Sequence, residues 1–228
     1  GHRALGHRDG VYPVSWALHG AQNAGVSQLP VDWPCDGRPV DTREVGRKEL
    51  PGYNTAVMSE SLTASRYPIV AQGGTQDDRY LRADIDIDGT IVSFFNVHLE
   101  MQMGGTLGRT KQIFGYRAEQ MAALRKDIES TTHPVYISGD FNTTTSMGLM
   151  RPLLTAYTDS VSVSRTLIPR TWTFHLLPGV KLWRLDYNLI SAPLFFVSHE
   201  DVSPREFSDH WGQKVVFGYP GGKVLQPY

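Results

Sequence analysis

Cysteine is almost absent from this chain: Cys35 stands alone among 228 residues, which excludes an internal disulfide framework and a cysteine-rich zinc site. Long apolar runs are also lacking, since none approaches the roughly 18 residues that a membrane-spanning helix needs. Neither sign of charge dominates, because 22 Lys and Arg nearly balance 23 Asp and Glu. A broadly basic nucleic-acid-binding surface is therefore not expected, although a local positive groove stays open.

The composition that remains is that of an ordinary globular protein, with 40% hydrophobic and 20% charged residues. It predicts a single domain over residues 1–228 with a sizeable core. The chain starts at Gly1 without an initiator Met, and its first residues resemble neither a signal peptide nor a clear strand. We therefore expect a processed, truncated or partial chain; its compartment stays open, and secretion is compatible with the sequence.

Three zones of the chain differ in composition and in hydrophobic pattern. Residues 1–52 are rich in Gly and Pro, as at Leu29-Pro30 and Trp33-Pro34, and are predicted to form an irregular, loop-rich N-terminal segment. Residues 53–217 carry strand patterns and form the predicted core, and residues 218–228 form a tail. The aromatic side chains of the first zone either pack beneath the long loop or form a recognition surface.

Local patterns in the core predict mostly strands and one good helix. Residues 79–86 and 90–97 are predicted to pair as a hairpin around Asp88-Gly89. Apolar residues then recur at helical spacing and place Arg117 among the charged residues of the exposed surface. Residues 135–138 form a short buried strand, and further strands are predicted over residues 184–191, 194–197 and 213–217. The helical stripe consists of Phe114, Ala118, Met121, Leu124 and Ile128.

Ionisable groups occur at the ends of two of the apolar strands in the first half of the core. His98 follows the strand of residues 91–97 and is a candidate general acid or phosphate contact, or simply a histidine at a strand exit. Asp140 and Asn142 follow the next strand, where an acceptor and a donor suit a site that holds water beside a phosphate. The alternatives at this second position are an Asx turn and a glycosylation sequon, Asn142-Thr143-Thr144.

Two further patterns lie near the C-terminus. Asp186 stands inside a run of Leu, Tyr and Ile, where an unpaired carboxylate is costly. A protonated histidine or a metal would compensate it, and the alternative is a structural pair with Arg184. Asp209 and His210 precede the last strand, where Asp209 suits a Mg²⁺ ligand and His210 a base. The alternative is a helix cap or turn at Ser208-Asp209.

The four patterns together, in this order, resemble the endonuclease/exonuclease/phosphatase superfamily. Its members include pancreatic-type deoxyribonucleases, abasic-site endonucleases, neutral sphingomyelinases and inositol-polyphosphate phosphatases. The resemblance runs from about Tyr53 to Phe217 and includes weaker matches at residues 55–59 and 65–70. It implies an α/β (α+β) fold, a four-layer sandwich in which two mixed, mostly antiparallel β-sheets are flanked by helices and the site lies at one edge.

The resemblance implies a hydrolase of phosphate esters that depends on Mg²⁺ or Mn²⁺. By motif, His210 would deprotonate the attacking water, Asp186 would orient the imidazole, and Asp209 would bind the metal. Asp140 and Asn142 would position water and phosphate oxygens. The substrate stays open between a nucleic acid, a lipid head group and a small molecule.

His98 would hydrogen-bond the phosphoryl group or assist the leaving group, which completes the set of implied site residues. Together with the metal, the imidazolium and amide donors of this set would stabilise the charge that builds up on the attacked phosphate oxygens. The near-neutral net charge and the shortage of Lys favour a small or lipid-like phosphate ester over long duplex DNA.

The resemblance breaks down at the N-terminus. Members of the superfamily begin with a strand that ends in Asn, a helix, and a second strand that ends in Gln-Glu, whose Glu is the principal metal ligand. No such strands are predicted before Tyr53, and neither Asn23 nor Glu44 is assigned as a substitute. The chain is therefore expected to bind Mg²⁺ poorly. The alternative function is a fragment or degenerate, non-catalytic member that acts as an interaction module.

Overall fold

The fold is described from a computed structural model of the chain. It describes residues 15–21, 24–30, 50, 52–58, 61–75, 77, 79–101, 107–166, 168–173, 180–202 and 210–220. Within these ranges, strands dominate and helices are few. The strands are β1 (Ser15–Ala21), β2 (Ala24–Pro30), β3 (Asn54–Met58), β4 (Ser61–Ser65), β5 (Ile69–Thr75), β6 (Tyr80–Ile87), β7 (Thr90–His98), β8 (Val135–Asp140), β9 (Thr158–Asp159), β10 (Trp172–Thr173), β11 (Lys181–Trp183), β12 (Asp186–Ile190), β13 (Phe195–Val202) and β14 (Gly212–Gly218). The helices are α1 (Leu107–Ser130), α2 (Arg151–Ala156) and a 3₁₀ turn (Ser160–Val163).

The main sheet has six strands in the order β5-β6-β7-β8-β12-β9. β7 and β8 run parallel, whereas the other strand pairs described in this sheet are antiparallel. Helix α1 connects β7 to β8, as a parallel pair requires. The C-terminal ends of β7 and β8 therefore lie at the same edge of the sheet, and this edge carries the candidate site.

The second layer consists of the sheet β1-β2-β4-β3 and the hairpin β13-β14, with β1 beside β14. A hydrophobic core of residues such as Leu81, Ile85 and Phe94 joins this layer to the main sheet. The opposite face of the main sheet packs Phe95 and Val97 against α1. Successive residues of β7 thus face opposite cores, as the pleat dictates. The mixed architecture of mostly antiparallel sheets with few helices agrees with the sandwich expected from the sequence.

The prediction of an irregular N-terminal segment is wrong for part of residues 1–52. β1 and β2 form an antiparallel hairpin, and β2 pairs with β4 from Val26↔Ser65 to Pro30↔Ser61. Two strands therefore precede Tyr53, where none was predicted. Their Gly and Pro residues indicated turns, but Pro30 ends β2 and the pairing of β1 is irregular between Leu18 and Ala21, which are positions where strands tolerate such residues.

Helix α1 is confirmed, but the side that it buries differs from the prediction in its first half. Phe114 is 40% exposed, whereas Arg117 is fully buried. The buried face runs through Ile113, Arg117 and Met121, so the arginine lies within the buried stripe and not on the surface. None of the helices in the described ranges is long and apolar enough to cross a membrane.

Candidate active site

Three of the predicted site residues form one row across the main sheet. His98 is in register with Asp140 on the neighbouring parallel strand, and Asp140 is in register with Asp186 on the antiparallel strand beyond it. Paired residues on adjacent strands direct their side chains to the same face of a sheet. Strand pairing therefore brings together an imidazole and two carboxylates from positions far apart in the sequence.

His210 joins this row from the segment before β14. Its Nδ1 lies 2.9 Å from Asp186 Oδ2, and its Nε2 lies 3.8 Å from Asp140 Oδ2. The alternative pair of Asp186 with Arg184 is not formed, because the Arg184 guanidinium donates two hydrogen bonds of 2.7 Å to Asp159. The buried Asp186 therefore has an imidazole as its partner.

Burial raises the pKa of Asp140 to about 6, and the nearby Asp186 carboxylate acts in the same direction. The charges of His210 and His98 and a hydrogen bond from the Asn142 backbone N–H oppose this shift. The Asp140 carboxylate is thus held in a buried place where its negative charge is not fully compensated.

Asn142 lies in a turn directly after β8, in the left-handed conformation, with φ of 47°. Its backbone N–H donates to Asp140 Oδ1 at 2.7 Å, so the Asx turn considered above is formed. Its side-chain Nδ2 donates to the carbonyl oxygen of Leu99 at 2.9 Å. This bond engages the nitrogen that a glycan would modify, and Thr143 is buried, which argues against use of the sequon. Because of the turn, Asn142 does not continue the alternation of β8.

Gly139 allows the close approach of β7 and β8 beside the row. Its φ is 133°, a conformation that favours glycine. A Cβ atom at this position would lie 2.0 Å from the carbonyl oxygen of Val97. The glycine before Asp140 is therefore required by the geometry of the strand pair that carries the site.

An aromatic pair borders the row on the side of His210. Trp172 bridges to His210 through the backbone and is in register with Trp183. The two indole rings stack with centroids 5.0 Å apart and planes 14° apart, and Trp183 is 52% exposed. The Thr171 hydroxyl accepts hydrogen bonds of 3.1 Å from the backbone N–H groups of Leu185 and Asp186, which fixes this hairpin to the carboxylate-bearing strand.

Two residues of α1 that were not predicted as site residues contact the strand ends that carry the site. Arg117 Nη1 donates a hydrogen bond to the carbonyl oxygen of Asn142. Gln120 accepts a hydrogen bond of 3.1 Å from the backbone N–H of Glu100, just after β7. A signal for them exists in the sequence, because positions 117, 120, 121 and 124 share one face of a helix.

The sequence of residues 16–210 matches the profile of the Endonuclease/Exonuclease/phosphatase family. The chain belongs to this family. The match begins within β1, which agrees with the inclusion of the N-terminal hairpin in the second layer. Members of the family are hydrolases that act on phosphate esters. A search of curated proteins finds no match.

Solved structures with the same fold include other members of the Endonuclease/Exonuclease/phosphatase family. A humanized D. rerio TDP2 with 14 mutations is 16% identical and gives a TM-score of 0.63, with 85% of each chain covered. A mannosyl-6-phosphatase from Bacteroides thetaiotaomicron is 17% identical and gives a TM-score of 0.57, with 78% of this chain and 80% of that chain covered. At these identities the likeness establishes the fold.

Proteins of the Endonuclease/Exonuclease/phosphatase family usually bind a divalent metal, and the site of this chain offers donors for one. Ligand atoms of Asp140, Asp186 and His210 lie within 4.8 Å of one another. The buried, undercompensated carboxylate of Asp140 fits a cation, and oxygen donors suit Mg²⁺ or Mn²⁺. The predicted ligand Asp209 lies outside the described residues. β1 and β2, with the sequences SWALHGA and AGVSQLP, contribute no acidic residue.

Proposed function

We propose that this chain is a divalent-metal-dependent hydrolase of phosphate esters, a phosphodiesterase, nuclease or phosphatase, with His210 as its general base. The observation that carries the proposal is the hydrogen bond of 2.9 Å between His210 Nδ1 and Asp186 Oδ2. A buried carboxylate that orients an imidazole is the arrangement expected of a base that must keep one nitrogen free to accept a proton. The family membership of the chain supports the same reaction.

The geometry of this pair supports a route for the proposed proton transfer. Because Asp186 accepts a hydrogen bond from Nδ1, the tautomer with a lone pair on His210 Nε2 is favoured. Nε2 takes a proton from the attacking water, whose oxygen forms a bond to phosphorus while the ester P–O bond breaks and its electron pair leaves on the ester oxygen. The resulting imidazolium lies near two carboxylates, those of Asp186 and Asp140, which stabilise its charge.

The other members of the row are proposed to hold the phosphate. Asp140 and Asn142 would position the water and the phosphoryl oxygens, and His98 would hydrogen-bond the phosphoryl group or assist the leaving group. Asp140, together with Asp209, would hold Mg²⁺ or Mn²⁺, which would polarise the phosphoryl group and offset its charge. The indole of Trp183 is exposed and stacks on Trp172, whose backbone bridges to His210, so it is proposed to contact the esterified group.

Hydrolysis of bis(p-nitrophenyl) phosphate in Mg²⁺ or Mn²⁺, with and without EDTA, tests this proposal. We expect metal-dependent turnover and a loss of roughly 10²- to 10⁴-fold in kcat for His210→Ala, the usual contribution of a general base. His133→Ala is a matched control, because His133 lies just before β8, at the end of the strand remote from Asp140. Metal-dependent turnover that His210→Ala leaves unchanged would contradict the mechanism.

A second candidate is a non-catalytic member of the family that acts as an interaction module. It is kept as a candidate because β1 and β2 carry no acidic residue, whereas the family resemblance implies a metal ligand at the end of the second strand. The same assay separates the two candidates. Absence of turnover on both a phosphodiester and a phosphomonoester in Mg²⁺ and in Mn²⁺ would favour the module.

A further inference from the structure

Charged side chains are rarely buried in a fold, but that of Arg117 is. It lies midway along α1, is 0% exposed, and is among the largest fully buried side chains of the described residues. Burial lowers the pKa of its guanidinium, and the acidic groups that face it, Asp140 and Glu100, counter this effect. A buried cation is retained in a core only where its hydrogen bonds and neighbouring charges compensate the loss of water.

The guanidinium binds the backbone of the turn that carries Asn142. Arg117 Nη1 donates to the Asn142 carbonyl oxygen, while the Asn142 backbone N–H donates to Asp140 Oδ1 at 2.7 Å. The Asn142 side chain donates to Leu99 at 2.9 Å. The backbone N–H, the backbone carbonyl and the side chain of Asn142 are thus each hydrogen-bonded to a different residue. The left-handed backbone of Asn142 needs such support, because it is uncommon for residues other than glycine.

The next turn of the helix holds the end of the neighbouring strand in the same way. Gln120 Oε1 accepts from the Glu100 backbone N–H at 3.1 Å, and Gln120 Nε2 donates to the carbonyl oxygen of Asp77 at 3.3 Å. One face of α1 therefore contacts the chain beyond His98 and beyond Asp140 at once. The relative position of these two strand ends depends on this face of the helix.

We propose that Arg117 is a positioning residue for phosphate ester hydrolysis, which fixes the Asn142 turn so that Asp140 and Asn142 act together. This inference rests on the function proposed above. Since Arg117 is fully buried, it does not contact the substrate and acts through Asn142. A displacement of about 1 Å in a catalytic group can lower the rate by roughly 10²-fold, so loss of this support is expected to be visible in kcat.

The test compares Arg117→Met and Arg117→Lys with the wild type in the hydrolysis of bis(p-nitrophenyl) phosphate with Mn²⁺. We expect Arg117→Met to lower kcat by roughly 10²-fold with KM changed less than about threefold. Arg117→Lys keeps one donor and the charge, and is expected to recover about tenfold of that loss. Arg125→Met is the control, because Arg125 lies on the same helix and forms an exposed pair with Glu129.

A double-mutant cycle separates positioning from general destabilisation. Asn142→Ala keeps the backbone carbonyl that Arg117 binds but removes the side chain that is proposed to act together with Asp140. Arg117→Met is therefore expected to lower kcat by clearly less in an Asn142→Ala background than in the wild type. An equal loss in both backgrounds overturns the inference, as does an Arg117→Lys variant with the kcat of Arg117→Met and an unchanged melting temperature. Arg117→Lys also keeps the test valid if Arg117→Met does not fold. An inactive wild type contradicts the proposed function itself, whereas an active wild type that is insensitive to Arg117 contradicts this inference alone.

Discussion

Asp84 and Asp140 are both almost fully buried in the main sheet, but their surroundings differ in kind. Asp84, on β6, accepts two hydrogen bonds from the Arg82 guanidinium, at 2.9 and 3.0 Å, and one of 2.7 Å from the Ser93 hydroxyl. Among the described residues, Asp140, at the end of β8, accepts a hydrogen bond of 2.7 Å from the Asn142 backbone N–H, and His210 Nε2 lies 3.8 Å from its Oδ2. One carboxylate is fully paired within the protein, and the other is left undercompensated.

The difference indicates what each region serves. A permanently paired carboxylate such as Asp84 contributes to the folded state and has little capacity to bind anything else. A buried carboxylate with a raised pKa destabilises the folded state when it is ionised, and it is suited to a cation or a proton that arrives with the substrate. Stability and proposed function are therefore assigned to separate polar clusters of one sheet.

The largest effect on stability is expected from Asp84→Asn. The change leaves Arg82 in a mostly buried position without its closest carboxylate, although the bond of 3.0 Å to Asp127 remains. We expect a loss of roughly 3 kcal/mol in the free energy of unfolding, measured by urea denaturation, as for other broken buried pairs. Asp88→Asn, in the exposed turn between β6 and β7, is the control and should change it by less than about 0.5 kcal/mol. If Asp84→Asn and Asp88→Asn changed the free energy of unfolding equally, the pairing of Asp84 would not stabilise the fold, and the contrast with Asp140 would fail.

Asp140→Asn is expected to change the free energy of unfolding in the opposite direction. The pKa of Asp140 in the folded chain, about 6, lies above its ordinary value of 3.8, so the folded state binds this proton more tightly than the unfolded state does. The contribution of Asp140 to stability is therefore present at low pH and is lost as the pH rises through about 6.

The variant should accordingly gain about 1–3 kcal/mol in the free energy of unfolding at pH 7.5 in EDTA, and almost nothing at pH 4. Its hydrolytic activity should be lost. Urea denaturation at the two pH values checks the first expectation. A variant that is less stable than the wild type at pH 7.5 would show that the charge of Asp140 is compensated after all.

The smallest effect on stability is expected for two serines on neighbouring strands. Ser93 donates to Asp84, whereas Ser138 is buried and its Oγ has no hydrogen-bond partner within the described part of the chain. Ser138→Ala is expected to be neutral or to stabilise the fold by up to about 1 kcal/mol, and Ser93→Ala to destabilise it by about 1–2 kcal/mol. Thermal denaturation compares the two. The reverse order would mean that Ser138 is bonded in solution.

Local patterns were sufficient for the elements whose signals are contained in one stretch of sequence. The hairpin around Asp88-Gly89 was predictable because a turn that favours positive φ separates two strand-like runs. Strands β1 and β2 were not predictable, because their partners include strands far away in the sequence. β2 pairs with β4, more than 30 residues later, and β1 lies beside both β2 and β14. Strand β4 was not predicted either, although it pairs locally with β3 as well as with β2.

The candidate site likewise has a part that was predictable from the sequence and a part that was not. The residue types at the strand ends and the family they resemble were visible in the sequence, but the partner of Asp186 was not, because Arg184 is two residues away and His210 is 24. The place of Arg117 was also hidden. A charged residue beside an apolar stripe is usually exposed, and here Asp140, Glu100 and the Asn142 turn offset part of the cost of its burial.

The sequence by itself determined the family, the main hairpin, the long helix and which groups are proposed to carry phosphate ester chemistry, since these depend on residue type and short-range periodicity. Only the tertiary structure decided which imidazole meets which carboxylate, which of the buried acids stays undercompensated and which side of the helix is buried. Those outcomes depend on strand register and on burial, and both arise from contacts between residues far apart in the chain.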